Sequence, residues 1–172
     1  MSTSEQLTVV LVGPMGAGKT SVGRQVAKRL GVRFIDTDKR IAAEHGPIPG
    51  LFESRGESHF RELEQAAVAA ALREGGVISV GGWAVTSPAT RELLRRHPVV
   101  FLAVSPEAVA DRIRSGGRPL LAGDDDPLER WNLIYEQRRG WYEEVADAIF
   151  DTSRRPMQRI ADEIAAWRRE QA

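Results

Sequence analysis

Short apolar runs alternate along the chain with longer stretches in which apolar residues recur every three or four positions. Residues 7–12 (LTVVLV) are a β-branched run stopped by Gly13, the pattern of a fully buried strand. Residues 19–30 follow as a helix, with Gly31 placed to end it. A second short strand spans 32–35. Two short helical stretches come next, interrupted by the Gly46-Pro47 and Pro49-Gly50 pairs. From 57 to 73, Phe60, Leu63, Ala67, Ala70 and Ala71 line one face of an amphipathic helix. Residues 77–80, 99–104 and 148–150 complete a set of five strands. Helices over 88–96, 106–114, 127–145 and 156–169 fill the intervals, each with a proline in its first turn. This alternation predicts an α/β fold of three layers, a five-stranded parallel sheet with helices on both faces. Ligands in such sheets bind beyond the carboxyl ends of the strands, so residues just after each strand are where chemistry is expected.

Composition narrows the partners. The 172 residues suit one domain, 1–172, with no linker or repeat to divide it. Lys+Arg and Asp+Glu both number 24, so the formal charge is zero. Neutrality counts against a nucleic-acid or polybasic membrane surface, which needs a net cationic field. There is no cysteine, which excludes a disulfide framework, a thiolate metal site and a cysteine nucleophile. Apolar runs such as 66–72 are far too short to span a bilayer, and residues 1–6 lack the order of a signal peptide. The expectation is a cytoplasmic monomer that handles small molecules. Lysine occurs only at 19, 28 and 39, every other cation being arginine. That skew means no arginine is special merely for being arginine.

After the first strand, Gly13-Pro14-Met15-Gly16-Ala17-Gly18-Lys19-Thr20 satisfies G-x-x-x-x-G-K-[ST] in full. Glycines let backbone N–H groups curl around phosphate oxygens, and the following helix adds its dipole. Gly16, Ala17, Gly18, Lys19, Thr20 and Ser21 are therefore expected at a nucleotide, with Lys19 reaching the β/γ-phosphates and Thr20 ligating Mg²⁺. The second strand ends in Asp36-Thr37-Asp38. Alternation along an extended segment would put both carboxylates on one side, serving a metal and an acceptor; capping of the next helix accounts equally well for them. The third strand ends in Gly81-Gly82-Trp83, where paired glycines permit either a ligand's close approach or a tight turn.

Two arginines stand out by position. Arg61 is one step off the apolar stripe of its helix, the usual place of a solvated arginine. Arg138 falls on the stripe formed by Trp131, Ile134, Tyr135, Trp141, Tyr142 and Val145. An inward arginine needs an anion, either a protein carboxylate or a ligand. Residues 115–127 form a long glycine-rich charged stretch that reads as a mobile lid, with Arg118 within reach of a transferring phosphoryl group.

Together these residues resemble the shikimate kinases, within the P-loop nucleoside-monophosphate-kinase-like group, over roughly 9–164. The likeness rests on GPMGAGKT, the DTD triplet, Phe60-Arg61, Gly81-Gly82 with Ala84-Val85, Arg118-Pro119-Leu120-Leu121, and Arg138 four residues before Tyr142. The resemblance implies transfer of the γ-phosphoryl group of ATP to the 3-hydroxyl of shikimate, with Mg²⁺ as cofactor. It implies an acceptor region at about 36–64. Asp38 would orient or deprotonate the attacking hydroxyl, and Arg61 and Arg138 would hold the carboxylate. Gly81 and Gly82 would contact substrate, Asp36 would serve the metal through water, and Arg118 and Arg155 would face the nucleotide. Lys19, Asp38 and Arg118 are thus the expected catalytic residues. The family has a third glycine where this chain carries Trp83, and 46–50 is irregular beside its pattern. A kinase for a related polyol such as gluconate, or a catalytically weak nucleotide-binding paralogue, are the rival readings.

Overall fold

The structure is a computed structural model that describes residues 7–116 and 126–172. Arg118 and most of the expected lid lie outside these residues. Five strands pair in the order β2-β3-β1-β4-β5, all parallel: β1 Val9–Val12, β2 Phe34–Asp36, β3 Val77–Ser79, β4 Val99–Ala103 and β5 Ala148–Asp151. Among the described residues, seven helices connect or follow them: α1 Lys19–Leu30, α2 Thr37–His45, α3 Ile48–Glu74, α4 Pro88–Leu94, α5 Pro106–Gly116, α6 Pro127–Val145 and α7 Met157–Gln171. A short 3₁₀ turn, Ala84–Thr86, follows β3.

Register shows how the layers form. The β-branched run of β1 is buried throughout because the sheet is covered on both faces. A Cβ on Gly23 of α1 would touch Leu11, which places α1 on that face. Val12 pairs with Phe101, and by the two-residue period both point away from the Leu11 face. There Phe101 stacks on Tyr142 of α6, with ring centroids 5.2 Å apart. So α1, packed with α7, covers one side; α6, packed with α4, covers the other. From β1 the chain moves to β2 and β3 on one flank, then crosses to β4 and β5 on the other. The carboxyl end of β1 is therefore the topological switch point, where a crevice opens.

Four local expectations change. The Gly46-Pro47 pair does end α2, but Pro49-Gly50 does not interrupt helix; these residues lie in the first turn of α3, where proline is tolerated. The break comes instead at Gly56, whose φ of 83° and ψ of 170° divide α3 into 48–55 and the amphipathic segment after it. Pro156 caps α7 from outside rather than opening it. Asp36 and Asp38 are not neighbours on an extended strand, because Thr37 already begins α2.

Candidate active site

Between β1 and α1, Gly16 and Gly18 adopt φ of 83° and 92°, left-handed values that let successive backbone N–H groups form a nest for anions. Lys19 folds back over this loop, its Nζ donating to Gly13 O at 2.6 Å and Pro14 O at 3.2 Å. Burial lowers its pKa to about 8, against the opposing pull of Asp38 and Asp36. The loop is tied down from three directions. Thr152, just past β5, donates to Ala17 O at 2.7 Å. Arg112 of α5 bridges Gly16 O and Thr152 O, each at 2.5 Å. Trp131 of α6 donates its indole N–H to Met15 O at 2.7 Å.

Asp36 ends β2 and caps α2, its Oδ1 accepting the Lys39 N–H at 3.2 Å. Capping and a place in the site are thus compatible. Asp38, in the first turn of α2, lays its carboxylate against Gly81: a Cβ there would stand 2.3 Å from Asp38 Oδ1. That oxygen is buried without a hydrogen-bond partner among the described residues. Burial raises the Asp38 pKa, Asp36 raises it further, and Lys19 opposes both. Arg138 is 9% exposed and donates through Nη1 to Gly82 O at 2.9 Å. Its guanidinium lies 4.5 Å from the centre of the Trp83 ring. Beside it is the Tyr142 hydroxyl, whose pKa burial pushes up to about 12 while Arg138 pulls it back.

One cavity of about 530 Å³ gathers Lys19, Thr20, Asp36, Asp38, Gly81, Gly82 and Arg138, with Trp83, Trp131, Tyr135 and Tyr142 as its aromatic wall. Other expected residues lie apart from it. Ser21 is exposed on α1. Arg61 pairs along its own helix with Glu57 at 2.8 Å and does not line the cavity. Arg155 pairs with Glu163. Trp83 leans on Phe52, with ring centroids 5.5 Å apart. Its ring also borders the cavity, with the Arg138 guanidinium over it.

Glu64 was not anticipated. It is 2% exposed, its Oε2 has no hydrogen-bond partner among the described residues, and it sits near Asp38, Arg138 and Arg61. Burial, reinforced by Asp38, raises its pKa to about 8, with Arg138 and Arg61 opposing. Its signal was available: Glu64 lies four residues after Phe60, on the apolar stripe of α3. Arg112 and Trp131 had no such signal, since what they bond is loop carbonyls remote in sequence.

Magnesium suits the donors present. Thr20 and Asp36 are hard oxygen donors on the wall that also carries Lys19.

Comparison with known proteins gives the same picture. The shikimate kinase family model matches residues 15–168. A shikimate kinase of Salinispora tropica is 48% identical over 160 residues, covering 91% of this chain and 95% of that one. The solved shikimate kinase of Acinetobacter baumannii, in complex with shikimate, superposes with a TM-score of 0.85 at 34% identity, over 95% of this chain and 93% of its own. A gluconokinase of Sinorhizobium meliloti 1021 reaches a TM-score of 0.65 at 24% identity over 98% of this chain and 94% of its own, a likeness of fold alone. With the phosphate loop, the paired aspartates and the inward arginine converging on one cavity, the chain belongs to the shikimate kinase family.

Proposed function

We propose that this protein transfers the γ-phosphoryl group of ATP to the 3-hydroxyl of shikimate. One observation carries the reading: the phosphate loop, Asp38 and the inward Arg138 line the same cavity. Catalysis here is positioning plus charge neutralisation. Backbone N–H groups of Gly16 to Thr20 hold the phosphates, and Lys19 exchanges its two loop carbonyls for β/γ-oxygens. Thr20 and, through water, Asp36 would hold Mg²⁺, which when bound supplies neutralisation of phosphate charge. Asp38 accepts the proton of the attacking hydroxyl; its raised pKa brings it nearer the range of a useful base. Arg138 anchors the acceptor carboxylate, and Arg61 joins it by leaving Glu57. Arg118, outside the described residues, would neutralise the transferring group, and Arg155 would reach the nucleotide by leaving Glu163.

In this reading the chain works as a monomeric single domain in the cytoplasm, on two small molecules, without nucleic acid or membrane. No helix among the described residues is long and apolar enough to cross a membrane. A coupled ADP-release assay tests the reaction: release should depend on shikimate and be absent with gluconate. Release with gluconate and not shikimate would refute the acceptor, and none with either would favour the inactive paralogue.

A further inference from the structure

Trp83 occupies a position whose backbone makes no special demand. Its φ of −85° and ψ of −15° are ordinary right-handed values that any residue adopts. The carbonyl is fixed by Thr86, which donates both its hydroxyl, at 2.6 Å, and its N–H, at 3.0 Å. The side chain is therefore the informative part. The residue is 38% exposed, its ring having Phe52 against it and the Arg138 guanidinium over it at 4.5 Å.

We propose that Trp83 is a positioning residue that holds Arg138 ready for the acceptor carboxylate. This rests on the shikimate reading above. A free arginine side chain samples many rotamers, and ordering it on binding costs affinity. Here the guanidinium is pinned before substrate arrives. Nη1 donates to Gly82 O, the guanidinium also bonds the Tyr142 hydroxyl, and its central carbon lies over the indole at 4.5 Å. A cation–π contact uses none of the N–H donors, so those not taken by Gly82 and Tyr142 remain for a carboxylate. Phe52 packs against the ring from 48–55, the segment that also lends Ile48 and Pro49 to the cavity. Trp83 thereby links the segment bordering the acceptor to the arginine that binds it. It touches the arginine, and through it sets affinity rather than chemistry.

Trp83→Leu and Trp83→Phe are compared with wild type by steady-state kinetics and by calorimetric titration of shikimate. Trp83→Leu keeps an apolar side chain but no π face. Its shikimate KM and Kd should rise about tenfold, or about 1.4 kcal/mol, with kcat within twofold and the KM for ATP unchanged. Trp83→Phe, which restores a π face, should recover most of the loss. An unchanged shikimate KM in Trp83→Leu, with wild type active, overturns this inference alone. Equal losses in kcat and in the KM for ATP, or no recovery in Trp83→Phe, would make Trp83 merely structural and overturn it too. A wild type inert toward shikimate removes the acceptor reading and this inference with it.

Discussion

One added methyl group separates the role of Asp38 from that of everything around it. A Cβ on Gly81 would stand 2.3 Å from Asp38 Oδ1, 2.6 Å from Oδ2 and 2.7 Å from Cγ, where ordinary contact begins near 3.4 Å. In Gly81→Ala the carboxylate must withdraw by about 1 Å to restore that contact. Gly81 is not among the glycines with positive φ, so alanine adds no backbone strain. The obstacle is the end of a side chain that can rotate, so the fold should lose only ~1–2 kcal/mol, the lower part of the range for overpacking. The effect on chemistry is larger. A reacting group misplaced by about 1 Å costs on the order of 100-fold in rate.

The expectation for Gly81→Ala is thus a kcat about 100-fold lower, with the KM for ATP near wild type. Gly82→Ala is the matched control. Its Cβ would meet Arg138 Nη1 at 3.1 Å, a crowding of only a few tenths of an ångström. That variant should raise the shikimate KM a few-fold and leave kcat nearly intact. Coupled ADP release, with each substrate varied in turn, reads both. Crossing Gly81→Ala with Asp38→Asn checks the route, since changes acting through one carboxylate do not add. A kcat for Gly81→Ala within threefold of wild type, or full additivity with Asp38→Asn, would refute the placement of Asp38 at the reacting hydroxyl.

Lys19→Met should lower turnover by at least ~100-fold with the fold intact, the scale of one lost electrostatic stabiliser; turnover near wild type would exclude the phosphate-loop mechanism. Arg138→Ala should weaken shikimate binding by ~2–5 kcal/mol and leave ATP affinity little changed, and equal calorimetric losses for both ligands would make Arg138 structural. For Glu64, the folded-state pKa of about 8 stands above the ordinary 4.5, so the folded protein keeps a proton the unfolded chain releases between those values. Its contribution is fully present below about pH 4.5 and lost as pH rises through about 8. Urea melts should show Glu64→Gln free of that decline, gaining ~2–4 kcal/mol on wild type across the window; parallel pH profiles would mean Glu64 is ionised throughout.

What could be read ahead of the structure follows from how each signal is written. The phosphate loop is contiguous, so spacing alone reveals it, and the strand before and the helix after it are set by local patterning. Arg138 was legible because a cation on an apolar stripe is a contradiction that only an anion resolves. Glu64 carries the same contradiction with opposite sign, and the same test applied to carboxylates finds it. Asp36 and Asp38 line one cavity, but by a route the alternation argument misjudged. The strand stops at Asp36 because its carboxylate caps a helix, and capping competes with extension at any Asp or Thr after a strand. Arg61 and Arg155 show the converse limit. Arg61 has Glu57 one helical turn away, and Arg155, just before α7, has Glu163 within that helix; those neighbours take the two guanidinium groups. The stack of Arg138 on Trp83 was beyond any linear reading. It joins the end of β3 to the middle of α6, and only the packing of α6 on the sheet brings the two together. Site residues drawn from one loop are therefore legible from spacing, and those drawn from two layers are legible only when one of them breaks the pattern of its own element.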